Sequence, residues 1–388
     1  MKPPDLTAAI FCLLIGLLAL LFFLLPDSPF SVTEKRALQT EPSFRISDLF
    51  SGRLSTAVND WYADQFPFRE GMIRLKSIAE YALGKGGNNG ILAGRDGQLA
   101  RVTFDLKASG RTVPDTDRVP EERILLAADG IGRAAANARV PTVFLIPGRT
   151  VDVVPDALSY PEEVGDAFFE TWREALPGQV CAPDVTAVLR EYARAGEKVM
   201  YRTDHHWTAL GAYYAYREVL CAFGMEDAIL PPKAFCRERV TDRFRGTFLC
   251  SGGFPWVAPE EIEVWRGADD SDYEVIADGA VQTGFCFAPA GGMPIGYEVF
   301  LGGTHDVVTV RKKGAGSRPL LLIARDSFAD ALAPFLARHF DLILLNLSSS
   351  RSDFTDLTGL SERYGADRVL VVWNAANLFF TDVASRLR

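Results

Sequence analysis

Two short strings in this chain carry residue types able to move an acyl group: Asp204-His205-His206-Trp207 and Asp326-Ser327-Phe328. Acyl transfer needs an imidazole to take a proton from a hydroxyl. It also needs a carboxylate to hold that imidazole in one tautomer and to stabilise its cation. Asp204 and His206 stand two apart, so on extended backbone both project to one side and His205 to the other. The chain holds four histidines, and two of them are here. Ser327 follows the apolar run Leu320–Ala324 and opens a helical pattern. That places it at the carboxyl edge of a sheet and at a helix N-terminus, whose N–H groups and dipole stabilise an oxyanion. Asp, Thr and Ser are also the favoured helix caps, which is the plain structural reading of each string alone. Taken together, the strings favour Ser327 as nucleophile, His206 as base and Asp204 as its orienting acid.

The elements that must position these residues follow an alternating rhythm. Helical periodicity covers about 120–138, 162–175, 184–195, 209–223, 327–339 and 357–364. Apolar strand segments lie at 142–146, 179–181, 198–201, 319–324, 342–347 and 369–373. Strands and helices in turn predict an α/β core with a mainly parallel sheet. Residues 225–317 break the rhythm with Gly, Pro and short alternating runs, and read as a β-rich insertion. Upstream, helical patterns at 46–63 and 70–83 flank Phe66-Pro67-Phe68, where proline forces a break, and Asp96-Gly97 marks a hairpin. The expected segments are therefore 1–29 (anchor), 30–110 (helical and hairpin lead-in), 111–224 (first part of the core), 225–317 (insertion) and 318–388 (second part of the core).

Eighteen uncharged, mostly apolar residues run from Ala8 to Leu25. As a helix they span about 27 Å, close to the hydrocarbon thickness of a bilayer. The run ends in Leu-Leu-Pro-Asp without a small-residue cleavage pattern, which favours an uncleaved anchor over a removed signal. Lys2 before the run and Lys35-Arg36 after it leave the orientation open on charge alone. Over 388 residues the net charge is −9 with no long basic run, which argues against nucleic acid as a partner. Five cysteines follow the anchor, an odd number that permits at most two disulfides; buried small residues with at most one bridge is the plainer expectation. No Cys-x-x-Cys or second Asp/His cluster accompanies the histidine pair, so neither a metal nor a cofactor is expected.

With these residues in view, the chain resembles a known family. Asp326-Ser327-Phe328 after an apolar strand looks like the Gly-Asp-Ser block of SGNH hydrolases. Asp204-His205-His206-Trp207 is similar to the string that names the DHHW family and to the Asp-x-His-Trp motif of the alginate O-acetyltransferases. In those proteins the Asp-x-His pair precedes the serine, as it does here. Asp64-Gln65-Phe66-Pro67-Phe68-Arg69, Gly94-Arg95-Asp96-Gly97 and Gly246-Thr247-Phe248 extend the likeness over most of the chain after residue 30. The Asp-His-His string also resembles the DHH phosphoesterases, whose further Asp-rich motifs are missing.

The resemblance implies an SGNH-like α/β fold and an extracytoplasmic domain on a bacterial inner membrane, periplasmic or extracellular. It implies transfer of an acetyl group to a polysaccharide, with a multi-spanning membrane acyltransferase as a partner that supplies it. An esterase or deacetylase using the same triad, and a non-catalytic envelope or polysaccharide-assembly protein, are the alternatives. Arg325 departs from the pattern, standing where SGNH enzymes have glycine; it would either bind an anionic sugar or crowd the nucleophile. Asn374, Asn377 and Asn346 are candidates for an oxyanion donor, and Arg351 sits in a polar loop able to approach Ser327. Trp207 would pack beside His206 or stack on a sugar ring. Arg149, at a sheet edge, is a further candidate for lining the cleft.

Overall fold

The computed structural model describes all residues except 1–2, 32–35, 44–45, 103–119, 159–161, 288–293, 349–354, 382 and 388. Seven strands form the central sheet: β1 (Thr142–Leu145), β2 (Tyr273–Ala277), β3 (Ala280–Thr283), β4 (Val307–Lys312), β5 (Leu320–Arg325), β6 (Asp341–Asn346) and β7 (Arg368–Val372). Their spatial order is β3-β2-β4-β6-β5-β7-β1. β5 pairs in parallel with β6 and β7, and β7 with β1. β5 is thus central, and its near-continuous apolar run reflects burial on both faces.

The segment 225–317 divides between two sheets. β2, β3 and β4 extend the core sheet antiparallel beyond β6. Phe235–Phe244 and Glu260–Gly267 form a separate hairpin, whose Phe235 and Trp265 join the core on one side of the sheet. The sheet is therefore mixed, parallel in its middle and antiparallel along one edge.

The helices used below are α1 (Pro3–Leu24), α2 (Arg53–Asp64), α3 (Arg69–Ala82), α4 (Glu121–Asn137), α5 (Ala209–Ala222), α6 (Thr247–Gly252) and α7 (Phe328–Leu336). α5 and α7 cover the face to which Leu321 and Ile323 point; α4, Glu162–Ala175 and Leu357–Tyr364 cover the face of Leu322 and Ala324. The 46–63 pattern is two helices, because Gly52 enters the left-handed region at φ 75° and ends the first at Phe50. Two expected strands shrink to single bridges. Cys181 pairs only with Val143, next to Pro183, which has no N–H to donate. Met200 pairs only with Trp207, across a loop that folds back on itself. α1 is long and apolar enough to cross a membrane. All six cysteines are free thiols.

Candidate active site

The fold-back at 199–208 presents the first string. Thr208 N–H bonds Val199 O at 2.9 Å and Tyr201 N–H bonds His206 O at 3.1 Å, closing a narrow loop with Asp204 at its tip. Thr208 is the cap of α5: its Oγ1 accepts the Gly211 N–H. Asp204 and His206 are therefore free of capping duty. Behind the loop, Glu260 accepts the Thr203 N–H at 2.6 Å, the Thr203 hydroxyl at 2.5 Å and the Arg202 N–H at 3.0 Å. In front, Thr247 at the start of α6 donates its N–H to Asp204 Oδ2 at 2.7 Å.

The second string arrives from the sheet centre. Ser327 ends the turn from β5 into α7, and its hydroxyl makes no cap bond. Asp326 performs that task instead, accepting the Phe328 N–H at 3.0 Å. Its other oxygen accepts the Asn374 N–H at 2.7 Å and the Asn377 side-chain amide at 2.9 Å.

These two frames meet in one hydrogen-bonded line. Asp204 Oδ1 lies 2.6 Å from His206 Nδ1, and His206 Nε2 lies 2.7 Å from Ser327 Oγ, across 121 residues of sequence. Asp204 and His206 are buried. Burial works against ionisation of Asp204. The neighbouring His205, the hydrogen bond from His206 and the Thr247 N–H outweigh it and hold the carboxyl well below the usual range. Tyr297 lies flat on the imidazole, 3.6 Å between ring centroids and 6° from parallel.

His205 does not turn fully away, because the loop is bent rather than extended. Its ring is 3.8 Å from that of His206, and its Nδ1 sits 3.0 Å from Thr247 Oγ1. Asp204, His205 and His206 consequently offer potential metal-ligand atoms within 4.8 Å of one another. In this arrangement, Asp204 Oδ1 and His206 Nδ1 are engaged with each other.

The remaining candidates take other places. Arg325 is fully buried, in an ion pair with Asp330 at 3.1 Å and a bond to His305 O at 3.2 Å. Asn374 donates its amide hydrogens to Pro147 O and Gly148 O, and its oxygen accepts the Ala376 N–H. Asn377 is spent on Asp326. Asn346 sits opposite Arg325 on the neighbouring strand and accepts the Ser348 N–H. Trp207 is buried and donates to Phe328 O, which leaves no face for a sugar. Arg149 is buried against Asp152 in a bidentate pair. Arg351 lies outside the described residues.

Residues 142–259 match the SGNH hydrolase-like domain of the acetyltransferase AlgX. Over that stretch the chain is similar to an SGNH hydrolase-like domain. Among curated relatives it is 27% identical over 203 residues to the probable alginate O-acetylase AlgJ of Pseudomonas putida, covering 49% of each chain. It is 26% identical over 189 residues to that of Pseudomonas aeruginosa, covering 45% of this chain and 44% of the relative. The chain thus spans about half the length of the curated relatives it matches. A DHHW family protein from Eubacterium siraeum superposes with a TM-score of 0.58 at 18% identity, over 77% of this chain and 95% of that one. PatB1 of Bacillus cereus does so with a TM-score of 0.60 at 17% identity, over 76% and 98%. Ser327 and Tyr297 lie beyond the matched 142–259 stretch of the SGNH-like domain. Of the residues around the line, sequence reasoning assigned no role to Tyr297, Thr247 or Glu260. Thr247 stood in a motif already noted, whereas Tyr297 opens the alternating run Tyr297–Leu301 of the insertion, a pattern that marks no role.

Proposed function

We propose that this chain is a membrane-anchored O-acetyltransferase acting outside the cytoplasm on a polysaccharide. The observation that carries the reading is the hydrogen-bonded line from Asp204 through His206 to Ser327. The relatives named as alginate O-acetylases supply the acyl group and the polymeric acceptor class. Helix α1 supplies the anchor, and the acyl donor is brought by a membrane acyltransferase partner.

In this reaction Ser327 Oγ attacks the acetyl carbonyl while His206 Nε2 takes its proton, and Asp204 balances the imidazolium. The Ser327 N–H, which makes no hydrogen bond among the described residues, is placed to donate to the oxyanion. Collapse expels the donor's oxygen with the proton from His206 and leaves acetyl-Ser327. A sugar hydroxyl then gives its proton to His206 and takes the acetyl group, freeing Ser327. Water in place of the sugar would make the same site an esterase. The pairing of Arg325 with Asp330 supports this reading over a non-catalytic role.

PatB1 is described with a sulfonyl adduct, which recommends a sulfonyl fluoride as probe. The full-length protein in detergent should be labelled at Ser327, and Ser327→Ala and His206→Ala should abolish labelling. Folded wild type that stays unlabelled would overturn the reading. Acetyl transfer to an oligosaccharide, rather than release to water, then separates transferase from esterase.

A further inference from the structure

The helix α3 is built the wrong way round for a helix packed on a globular domain. At 3.6 residues per turn, Met72, Leu75, Ile78, Ala79 and Ala82 share one face, about 60° to either side of Leu75. That face is exposed, Leu75 to 61%. The opposite face carries Ile73 and Ser77, and it is the one that touches the protein. Ser77 is 0% exposed and donates to Gly253 O at 2.9 Å, and a Cβ at Gly253 would lie 2.5 Å from Ile73. Arg74 and Lys76 flank the apolar stripe on its two sides. Apolar residues outward with basic residues at the margins is the pattern of a helix lying in a membrane interface.

The position of α3 in the chain points to the same occupant. Phe22, in the last turns of α1, packs on Trp61 and Tyr62 of α2, with ring centroids at 4.7 and 5.1 Å. Trp61 Nε1 donates to Asp27 at 2.8 Å, and the Gln65 amide bonds Ser28 O and Gln39 O. Trp and Tyr at the end of a span sit at headgroup depth. Four residues, Gln65-Phe66-Pro67-Phe68, separate α2 from α3, and Phe68 is itself exposed.

We infer that the outward face of α3, from Met72 to Ala82, rests on the lipid headgroup region of the bilayer that α1 crosses. The inference depends on the anchoring proposed above. Its consequence is positional. The back of α3 holds Gly253, at the end of α6, and Thr247 at the start of α6 bonds Asp204. The bilayer surface, α3, α6 and the acyl-transfer line are then one stack, and Ser327 is held at a set height above the membrane.

The test uses the full-length protein in nanodiscs of phosphatidylethanolamine and phosphatidylglycerol. Benzoylphenylalanine replaces Leu75, Leu13 in mid-span, or Val281, an exposed residue on the edge strand β3. After irradiation, mass spectrometry should find lipid adducts at 75 and 13 and none at 281. Lipid at 13 but not at 75 would overturn the inference while leaving the anchor standing. Lipid at neither position would remove the anchor and the inference together. A crosslink from 75 to a second copy in place of lipid would reassign the face to self-association, which also overturns it.

Discussion

Tyr297 covers one whole face of the His206 imidazole, ring on ring, while the edges of that imidazole hold Asp204 and Ser327. The ring can therefore neither tilt toward Tyr297 nor rotate without breaking one of its two hydrogen bonds. A stacked aromatic pair contributes about 0.5–1.5 kcal/mol beyond its buried area. Tyr297→Leu should lower the acyl-transfer rate by about 2- to 12-fold on that scale, with Tyr297→Phe close to wild type. Single-turnover acylation of Ser327 is the measurement.

Gly246 is wedged under the Asp204 loop. A Cβ there would lie 2.3 Å from Thr203 O and 2.5 Å from Asp204 Cβ. Gly246→Ala must push α6 and the loop apart, withdrawing the Thr247 N–H from Asp204. A misplacement of about 1 Å can cost on the order of 10²-fold in rate, so activity should fall by that order while circular dichroism remains native.

The depressed ionisation of Asp204 sets a pH dependence of stability. Its folded value lies below that of the unfolded chain, so its contribution is fully present above about pH 4 and is lost as pH falls further toward the folded value. Asp204→Asn should be less stable than wild type by a constant margin from pH 5 to 7. The margin should shrink below pH 4. Urea unfolding at several pH values reads both.

Arg325 and Asp330 are an ion pair without solvent, and burial pushes the Asp330 carboxyl up to about 7 against the pull of the arginine. Arg325→Met alone strands a buried carboxyl and should cost about 3–5 kcal/mol. Arg325→Met with Asp330→Leu should recover most of that loss, because an apolar pair of similar volume replaces both charges. Thermal unfolding of the three variants makes the comparison.

The elements were legible where periodicity was strong. The parallel strands and the helices around them fall within a residue or two of their sequence patterns, apart from α7, which ends three residues early at Leu336, because burial on one or both faces leaves a regular apolar signature. The three residues of the hydrogen-bonded line were legible from type and chain order. Their polar supports were not. Asn374 and Asn377 have the chemistry of oxyanion donors, yet the turn after β7 spends them on Pro147, Gly148 and Asp326. Only backbone positions brought together by the fold reveal that. Arg325 could have been placed: it follows Leu321 and Ile323 at a spacing of two, so it points toward the α5–α7 side. Tyr297 reaches His206 from a short alternating run that forms a 3-10 turn at Tyr297–Val299 rather than a strand, and alternation alone marks no role.

The long separation between His206 and Ser327 has a consequence for a chain made from its N-terminus. A nascent polypeptide complete through residue 259 already holds Asp204, His206 and the Thr247 N–H that braces them. It holds no hydroxyl for them to activate. Ser327 enters only when β5 is inserted into the middle of the sheet between β6 and β7, both of which come later in the chain. On the proposed mechanism, the line from Asp204 to Ser327 is therefore complete only after the C-terminal strands have been made and paired.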